Sequence, residues 1–89
     1  MIKFIFTKHA EKKFLSLHVS LQERIKKKLT SLKKHDDIFA ILKRLHHFEP
    51  ATHRLRIGDF RLILQLKKQT SKNIEFLVLD IGDRKDVYK

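Results

Sequence analysis

The stretch HRLRIGDFRLIL, residues 53–64, alternates apolar and charged residues on both sides of a Gly-Asp pair. Alternation with a period of two predicts β-strands, and a Gly-Asp pair between two such runs predicts a two-residue hairpin turn. We therefore predict a hairpin with strands at His53–Ile57 and Phe60–Lys67, joined at Gly58-Asp59. The prediction of a binding site on this chain depends on which face of the hairpin each side chain occupies.

Strand alternation places the hairpin side chains on two faces. The apolar face contains Leu55, Ile57, Phe60, Leu62, Leu64 and Leu66. The other face contains Arg54, Arg56 and Arg61, with Arg56 directly opposite Arg61. Like charges in opposite positions destabilise a sheet, and the nearest carboxylate, that of Asp59, is in the turn. We therefore predict that these arginines bind an external anion such as a phosphate, which suits the planar guanidinium fork.

The residues before the hairpin predict one strand and a helical hairpin. Residues 2–6 alternate as a strand does, and Thr7 is a suitable cap for the helix that follows. Ser20, with Glu23 three residues later, matches a capping box at the start of a second, amphipathic helix. Residues 38–45 predict a short third helix, and the segment from there to the arginine hairpin predicts a loop.

The order of elements predicts the fold class. Residues 74–81 are nearly all apolar, as expected of a central strand that is covered on both faces, and Gly82 is predicted to end that strand. The order is one strand, two helices and then a run of antiparallel strands. This order predicts an α+β fold, with the N-terminal strand and helical hairpin packed on one face of a twisted, mainly antiparallel sheet. At 89 residues the chain is long enough for a single domain, residues 1–89.

Charge and cysteine content restrict the possible functions. The chain has 21 Lys and Arg against 10 Asp and Glu, a formal net charge of +11, which favours a polyanionic partner. It has no cysteine, which excludes disulfides, thiolate metal sites and cysteine nucleophiles. No histidine and carboxylate spacing is typical of a metal site, and no segment has the pattern of a signal peptide or a membrane span. We predict no metal, no cofactor, no membrane contact and a cytoplasmic location.

Topology adds two residues to the arginine face. The last strand runs antiparallel to its neighbour, so its end returns beside Arg61, and Arg84 and Tyr88 follow at once. At RLRIGDFRLIL (54–64) and LDIGDRKDVYK (79–89), and in the opening strand and helical hairpin, the chain resembles the RelE/ParE toxin superfamily of bacterial toxin–antitoxin systems. The resemblance implies a fold of the microbial ribonuclease type. In the RelE branch it also implies a metal-independent endoribonuclease that cuts mRNA on the ribosome and so inhibits translation.

The resemblance also implies which residues do the chemistry. The implied catalytic residues are Arg56, Arg61, Arg84 and Tyr88. Arg54 is expected to bind RNA phosphate. RelE-like enzymes often carry lysine where this chain has Arg54 and Arg56, and arginine effectively never loses its proton. The general base is therefore open, and His46 and His47, in the loop before the arginine strand, are candidates. His53 shares strand parity with the apolar residues and is expected to pack rather than react.

Two further predictions concern partners. Lys26, Lys27 and Lys28 lie on the outer face of the second helix and are candidates for phosphate binding, although such lysines can equally form a solvated face. The resemblance implies a cognate antitoxin, the ribosome and mRNA as partners of a toxin that is monomeric on its own. Two alternatives remain open: a gyrase poison of the ParE type, and a catalytically weak module that only binds its antitoxin.

Overall fold

The structure, a computed structural model, describes residues 1–83. Within that range the chain forms two α-helices, a short 3₁₀ helix and five strands. The strands are β1 (Ile2–Phe6), β2 (Lys43–Arg44), β3 (His53–Ile57), β4 (Phe60–Gln69) and β5 (Ile74–Asp83). The helices are α1 (Lys8–Leu15), α2 (Val19–Leu32) and the 3₁₀ helix Ile38–Ala40. None of these helices is long and apolar enough to cross a membrane.

The strands of the described residues form one mixed sheet in the order β1-β5-β4-β3-β2. β1 pairs with β5 in parallel, and the other neighbours are antiparallel. β5 is therefore an inner strand, as its apolar sequence predicted, and Phe76, Val78 and Ile81 are fully buried on it. The predicted α+β architecture, with helices on one face of a mainly antiparallel sheet, is confirmed.

The core lies between the sheet and the two helices. Helical spacing places Ala10 and Phe14 of α1, and Ile25, Leu29 and Leu32 of α2, on the faces that pack inward. From the sheet, the buried side chains of the hairpin are Leu55, Ile57, Leu62 and Leu64. Burial of a large apolar side chain stabilises a fold by about 1.5–3 kcal/mol. Because these apolar side chains point towards the helices, the other face of the sheet, which carries the arginines, is turned away from the helices.

The N-terminal turn of α1 follows the sequence prediction. Thr7 precedes the helix, and its hydroxyl accepts a hydrogen bond from the Ala10 N–H at 3.1 Å. The predicted capping box of α2 is wrong, because the helix begins at Val19 and Ser20 is already inside its first turn. His18 is the cap instead, and its Nδ1 accepts from the Ser20 N–H at 3.2 Å.

The predicted third helix, residues 38–45, is also wrong. Ile38–Ala40 forms a 3₁₀ helix, and Lys43 and Arg44 then pair with Arg54 and His53 as β2. The apolar residues in this segment have helical spacing, but pairing satisfies backbone groups on the outer edge of β3 that a helix would leave open. Tertiary context therefore overrides the local pattern.

The last two strands are longer than predicted. β4 continues to Gln69, and β5 continues through Gly82 to Asp83. Gly82 does not end β5 because it lies opposite Arg61 in the β4–β5 ladder. The two strands also slip in register between Ile63 and Leu64, and such a bulge re-aims neighbouring side chains.

Candidate functional site

Basic side chains from two elements meet at the tip of the arginine hairpin. A cleft of about 470 Å³ lies there, and it is lined by Arg24, Lys27, Lys28, Arg56, Ile57 and Gly58. The three residues from α2 are spaced by three and four positions, which puts them on one side of the helix. Their side chains and that of Arg56 are exposed. We call this set of residues the tip cleft.

Gly58 holds the two sides of the tip cleft close together. Its φ is +60°, a conformation that costs little only for glycine. A Cβ atom at this position would lie 2.9 Å from Nη2 of Arg24, so the Arg24 guanidinium lies directly against the turn. On the other side, Nε of Arg56 donates to the Gly58 carbonyl at 3.2 Å. The glycine is therefore required both by the turn and by the approach of α2.

The tip cleft concentrates positive charge. Asp80, which contacts Lys13 and His9, is not part of the cleft, and among residues 1–83 no carboxylate lines the cleft itself. Four neighbouring cations repel one another, and an anion that enters the cleft relieves this repulsion. Arginine and lysine together are suited to a phosphate group, through bidentate and point-charge contacts respectively.

The structure divides the three hairpin arginines. Arg56 and Arg61 are opposite each other, as predicted, and Arg54 is opposite Ile63. Arg61, however, is only 7% exposed, whereas Arg56 is exposed and Arg54 is half-buried. The three side chains therefore do not form one exposed patch. Arg56 belongs to the tip cleft, and Arg61 is buried.

Asp80 is a second polar centre, on β5. Its Oδ1 accepts hydrogen bonds from Lys13 Nζ at 2.7 Å and from the Ile81 N–H at 2.9 Å, and His9 Nε2 lies 3.2 Å away. Burial raises the pKa of this carboxyl group, but the hydrogen bond and charge of Lys13, the Ile81 N–H and the charge of His9 together lower the pKa below its usual value. The group is therefore a carboxylate at neutral pH. Sequence reasoning missed it because its partners are distant in the chain.

The histidine candidates lie away from the tip cleft. β2 runs antiparallel to β3 with Arg44 beside His53, so the following loop, with the exposed His46 and His47, leaves the sheet at the start of β3. At about 3.3 Å per residue, His53 is about 16 Å from Gly58 along the strand. The structure does not bring these two histidines to the arginines of the tip.

His53 packs in the core, as expected. It is 5% exposed, and its ring centroid lies 5.4 Å from that of Phe39 and 5.8 Å from that of Phe76. Burial, followed by the charge of Arg44, lowers the pKa of His53. The neutral imidazole is therefore the native form at neutral pH.

The lysines predicted on α2 separate into two groups. Lys27 and Lys28 line the tip cleft, whereas Lys26 lines a groove between α1 and α2 beside Phe14 and Leu29. Sequence reasoning missed Arg24 as a site residue. Its spacing to Lys27 and Lys28 was the available signal. Arg84 and Tyr88 lie outside the described residues, so their predicted roles rest on the sequence alone.

A metal centre has no set of ligands in this part of the chain. Among residues 1–83, no group of three or more His, Asp or Glu side chains is arranged to hold a metal ion.

Comparison with known proteins places this geometry in context. No protein-family model and no curated protein matches the sequence. Solved structures do match. A chain of the intact Escherichia coli RelBE toxin–antitoxin complex is 21% identical with a TM-score of 0.63, and the match covers 90% of this chain and 93% of that one. The isolated E. coli RelE toxin is 22% identical with a TM-score of 0.62, and the match covers 96% of this chain and 88% of that one.

The fold is that of the RelE toxins. The RelB–RelE antitoxin–toxin complex of Methanococcus jannaschii also matches, at 19% identity and a TM-score of 0.62, over 94% of each chain. Identity this low shows a shared RelE fold and does not by itself transfer the residues of a site. The tip cleft and the buried Arg61 are thus features of this chain's own sequence on a RelE scaffold.

Proposed function

We propose that this protein is the toxin of a type II toxin–antitoxin system and acts as a ribosome-dependent mRNA endoribonuclease that inhibits translation. The observation that carries the proposal is the tip cleft on a RelE fold, in which four cations face one another without a carboxylate among the described residues. RNA supplies the missing negative charge at regular intervals along its backbone. An excess of +11 over the whole chain favours the same partner and speeds its approach.

The proposed chemistry needs no metal. The 2′-hydroxyl oxygen attacks the adjacent phosphorus, the bond from phosphorus to the 5′-oxygen breaks, and the products are a cyclic phosphate and a 5′-hydroxyl. A base takes the 2′-hydroxyl proton, and an acid supplies a proton to the leaving oxygen. Arg61 and Arg56 are proposed to stabilise the charge that develops on the phosphate oxygens. Because Arg61 is buried, its charge acts with less screening by water than an exposed one would.

Two residues outside the described range complete the proposed site. By resemblance, Arg84 binds the phosphate and assists the leaving group, and Tyr88 transfers a proton or stacks on a base. A phenol has a pKa near 10, and neighbouring guanidinium groups would favour its ionised form. Arg54, half-buried on the same sheet face, is proposed to bind an adjacent phosphate.

We also propose a cognate antitoxin as partner. Two of the similar structures are complexes of a RelE toxin with its RelB antitoxin. The positive charge of this chain suits an acidic antitoxin segment that competes with RNA for the same cations.

The test is primer-extension mapping of a defined mRNA in a reconstituted translation system, with and without the purified protein. Wild type is expected to produce new 5′ ends at codon spacing only when ribosomes are translating. Arg56→Ala is expected to reduce the cuts, and because Arg56 is exposed this variant should fold normally. Circular dichroism of each variant checks the fold.

Each other result excludes a part of the proposal. Cuts of equal strength on free mRNA would exclude dependence on the ribosome. Translation that halts without new ends, or inhibited DNA supercoiling with intact mRNA, would exclude the nuclease and favour a gyrase poison. Full cutting by Arg56→Ala would exclude the tip cleft from the RNA site.

A further inference from the structure

The cations that α2 contributes to the tip cleft have no partner among residues 1–83. No ion pair or hydrogen bond from that part of the chain reaches the side chain of Arg24, Lys27 or Lys28. The carboxylates nearest to the cleft in sequence, Glu23 and Asp59, form no ion pair with them. The three side chains are exposed, so their charge is open to an anion from solution.

Gly58 brings two guanidinium groups together at one side of the cleft. Nη2 of Arg24 lies 2.9 Å from the position that a Cβ atom would take on Gly58. Nε of Arg56 donates to the Gly58 carbonyl at 3.2 Å. Arg56 uses only Nε in this bond, so both of its terminal nitrogens remain to donate to a ligand. Two arginine forks beside each other suit a group with many phosphate oxygens.

The size and lining of the cleft indicate what kind of molecule it holds. Its volume of about 470 Å³ lies in the range of small-molecule sites, roughly 300–1,000 Å³. The apolar side chain that lines it is Ile57, which is only 6% exposed, and no aromatic ring is among the lining residues. The cleft therefore has no platform on which a base could stack. A ligand here is recognised through its charge and its oxygen atoms.

The number of cations favours a group with a high density of charge. A phosphodiester of RNA carries one negative charge, whereas a terminal phosphate carries about 1.5–2 at neutral pH. A condensed phosphate, in which two or three phosphates are joined through shared oxygens, concentrates several charges in one small group. Four cations in one cleft repel one another, and a single diester neutralises one of them. An RNA strand has to place several successive diesters in the cleft to match a condensed phosphate.

We propose that the tip cleft binds the condensed phosphate group of a small molecule, either inorganic triphosphate or a nucleoside triphosphate, and that this ligand excludes RNA from the cleft. The exclusion rests on the proposed RNA substrate and adds a form of regulation to it. Capture of RNA then depends on the concentration of free condensed phosphates. Because the cleft offers nothing to a base, the inorganic and the nucleoside forms bind alike.

Isothermal titration calorimetry of the free protein tests the binding. The probes are inorganic triphosphate, ATP and AMP at one ionic strength, without divalent cations, because Mg²⁺ itself binds such phosphates. Inorganic triphosphate and ATP are expected to bind within about threefold of each other, and AMP about tenfold or more weakly, since it makes fewer charged hydrogen bonds. Binding of AMP as tight as that of inorganic triphosphate, or of ATP alone, would overturn recognition by condensed phosphate.

Paired lysine variants test the location. Lys27→Gln combined with Lys28→Gln is expected to weaken binding of inorganic triphosphate by about tenfold or more. Lys8→Gln combined with Lys12→Gln removes the same charge from exposed positions on α1 that do not line the cleft, and is expected to change binding by less than about twofold. Thermal unfolding shows that each variant is folded. An equal loss in both pairs would mean that binding follows net charge, and would overturn the site.

Gly58→Ala tests the paired arginines without changing any charge. Its Cβ atom would displace the Arg24 guanidinium, so inorganic triphosphate is expected to bind about tenfold more weakly to the folded variant. Undiminished binding would overturn the pairing of Arg24 with Arg56 as the seat of the ligand.

Displacement of a fluorescent single-stranded RNA, followed by anisotropy, tests the exclusion. Inorganic triphosphate is expected to release the RNA with an inhibition constant equal to its own dissociation constant, and simultaneous binding of both would overturn the exclusion. These assays contain no ribosome, so they are independent of the cleavage test. Cleft-dependent binding of triphosphate without codon cleavage would refute the nuclease and leave the anion site standing. Codon cleavage without triphosphate binding would do the reverse.

Discussion

The tip cleft differs in chemistry from a second pocket of about 230 Å³, which we call the sheet-face pocket. This pocket is lined by Leu45, Phe48, Pro50, Ala51, Ile63, Leu79 and Asp80. The tip cleft is lined by exposed cations from α2 and β3, with no carboxylate among the described residues. The sheet-face pocket is mostly apolar, has one fixed carboxylate, and is flanked by the half-buried Arg54 and the buried Arg61. The first can hold any phosphate backbone, because a backbone has the same charge whatever its bases are.

Two arginines that are opposite each other in the sheet can differ in what they do, because they differ in exposure to solvent. Arg56 and Arg61 are opposite each other in the ladder, yet one is exposed at the tip and the other is buried. An exposed guanidinium attracts RNA and is screened by salt. A buried one is screened much less and can act on charge that develops in a reaction. Variants of the two residues should therefore fail in different ways.

Arg61 is expected to show the largest effect. Arg61→Ala should lower the rate of mRNA cleavage by about 10²–10³-fold, as removal of a preorganised charge typically does, with a smaller loss of RNA affinity. Single-turnover cleavage in the translation system measures the rate, and filter binding measures affinity. Because Arg61 is 7% exposed, Arg61→Lys is the control that keeps a buried positive charge and a similar stem. Equal losses of rate and affinity in both variants would assign Arg61 to binding alone.

The lysines of α2 are expected to show the next largest effect. Lys27→Gln combined with Lys28→Gln should weaken RNA binding by about tenfold at low salt. It should also make the slope of log affinity against log salt shallower by about 0.7 for each contact removed. Lys26→Gln is a matched control, since it removes one charge from the same helix but lines the groove beside α1. If Lys26→Gln reduces the slope by as much per charge, binding follows net charge and not the tip cleft.

Much of the hairpin could be predicted from the sequence, because strand alternation and the Gly-Asp turn together determine register. The predicted pairing of Arg56 with Arg61 is confirmed. Burial could not be predicted the same way. Alternation says which face a side chain lies on, but the packing around Arg61 depends on contacts between distant segments. Arg24 and Asp80 were missed for the same reason, since helix position and long-range pairing bring them to Gly58 and to Lys13.

Two errors show where local patterns lose to tertiary structure. Residues 38–45 have helical spacing, but the open edge of β3 recruits Lys43 and Arg44 as a strand. Ser20 and Glu23 match a capping box, but His18 caps α2 two residues earlier. The roles of Arg84 and Tyr88 stay predictions, because those residues lie outside the described part of the chain.

Gly58 tests how firmly the tip cleft is assembled. Gly58→Ala should lower the free energy of unfolding by about 1–2 kcal/mol, the cost of a left-handed conformation for an ordinary residue. A further cost is expected because the new Cβ would lie 2.9 Å from Arg24 Nη2. Urea unfolding of Gly58→Ala, of Arg24→Ala and of the double variant separates the two terms. Strict additivity would show that Arg24 moves aside freely and that the cleft is not fixed by the turn.

His53 is expected to show the smallest effect, on stability and not on RNA binding. Its pKa is lowered in the fold by burial and by Arg44, so its contribution is present above the unfolded pKa of about 6.5. That contribution is lost as the pH falls below this value towards the folded pKa, because the unfolded state binds the proton first. Wild type should therefore unfold at lower urea at pH 5.5 than at pH 7, and His53→Phe should show a flatter dependence. His46→Phe, a change at an exposed histidine, is the control and should retain the wild-type slope. Across the same range the lowered pKa of Asp80 keeps its carboxylate ionised. RNA affinity at constant ionic strength should consequently change little while stability falls. If RNA affinity fell together with stability, a histidine would take part in RNA binding, and His46 and His47 would again be candidates for the general base.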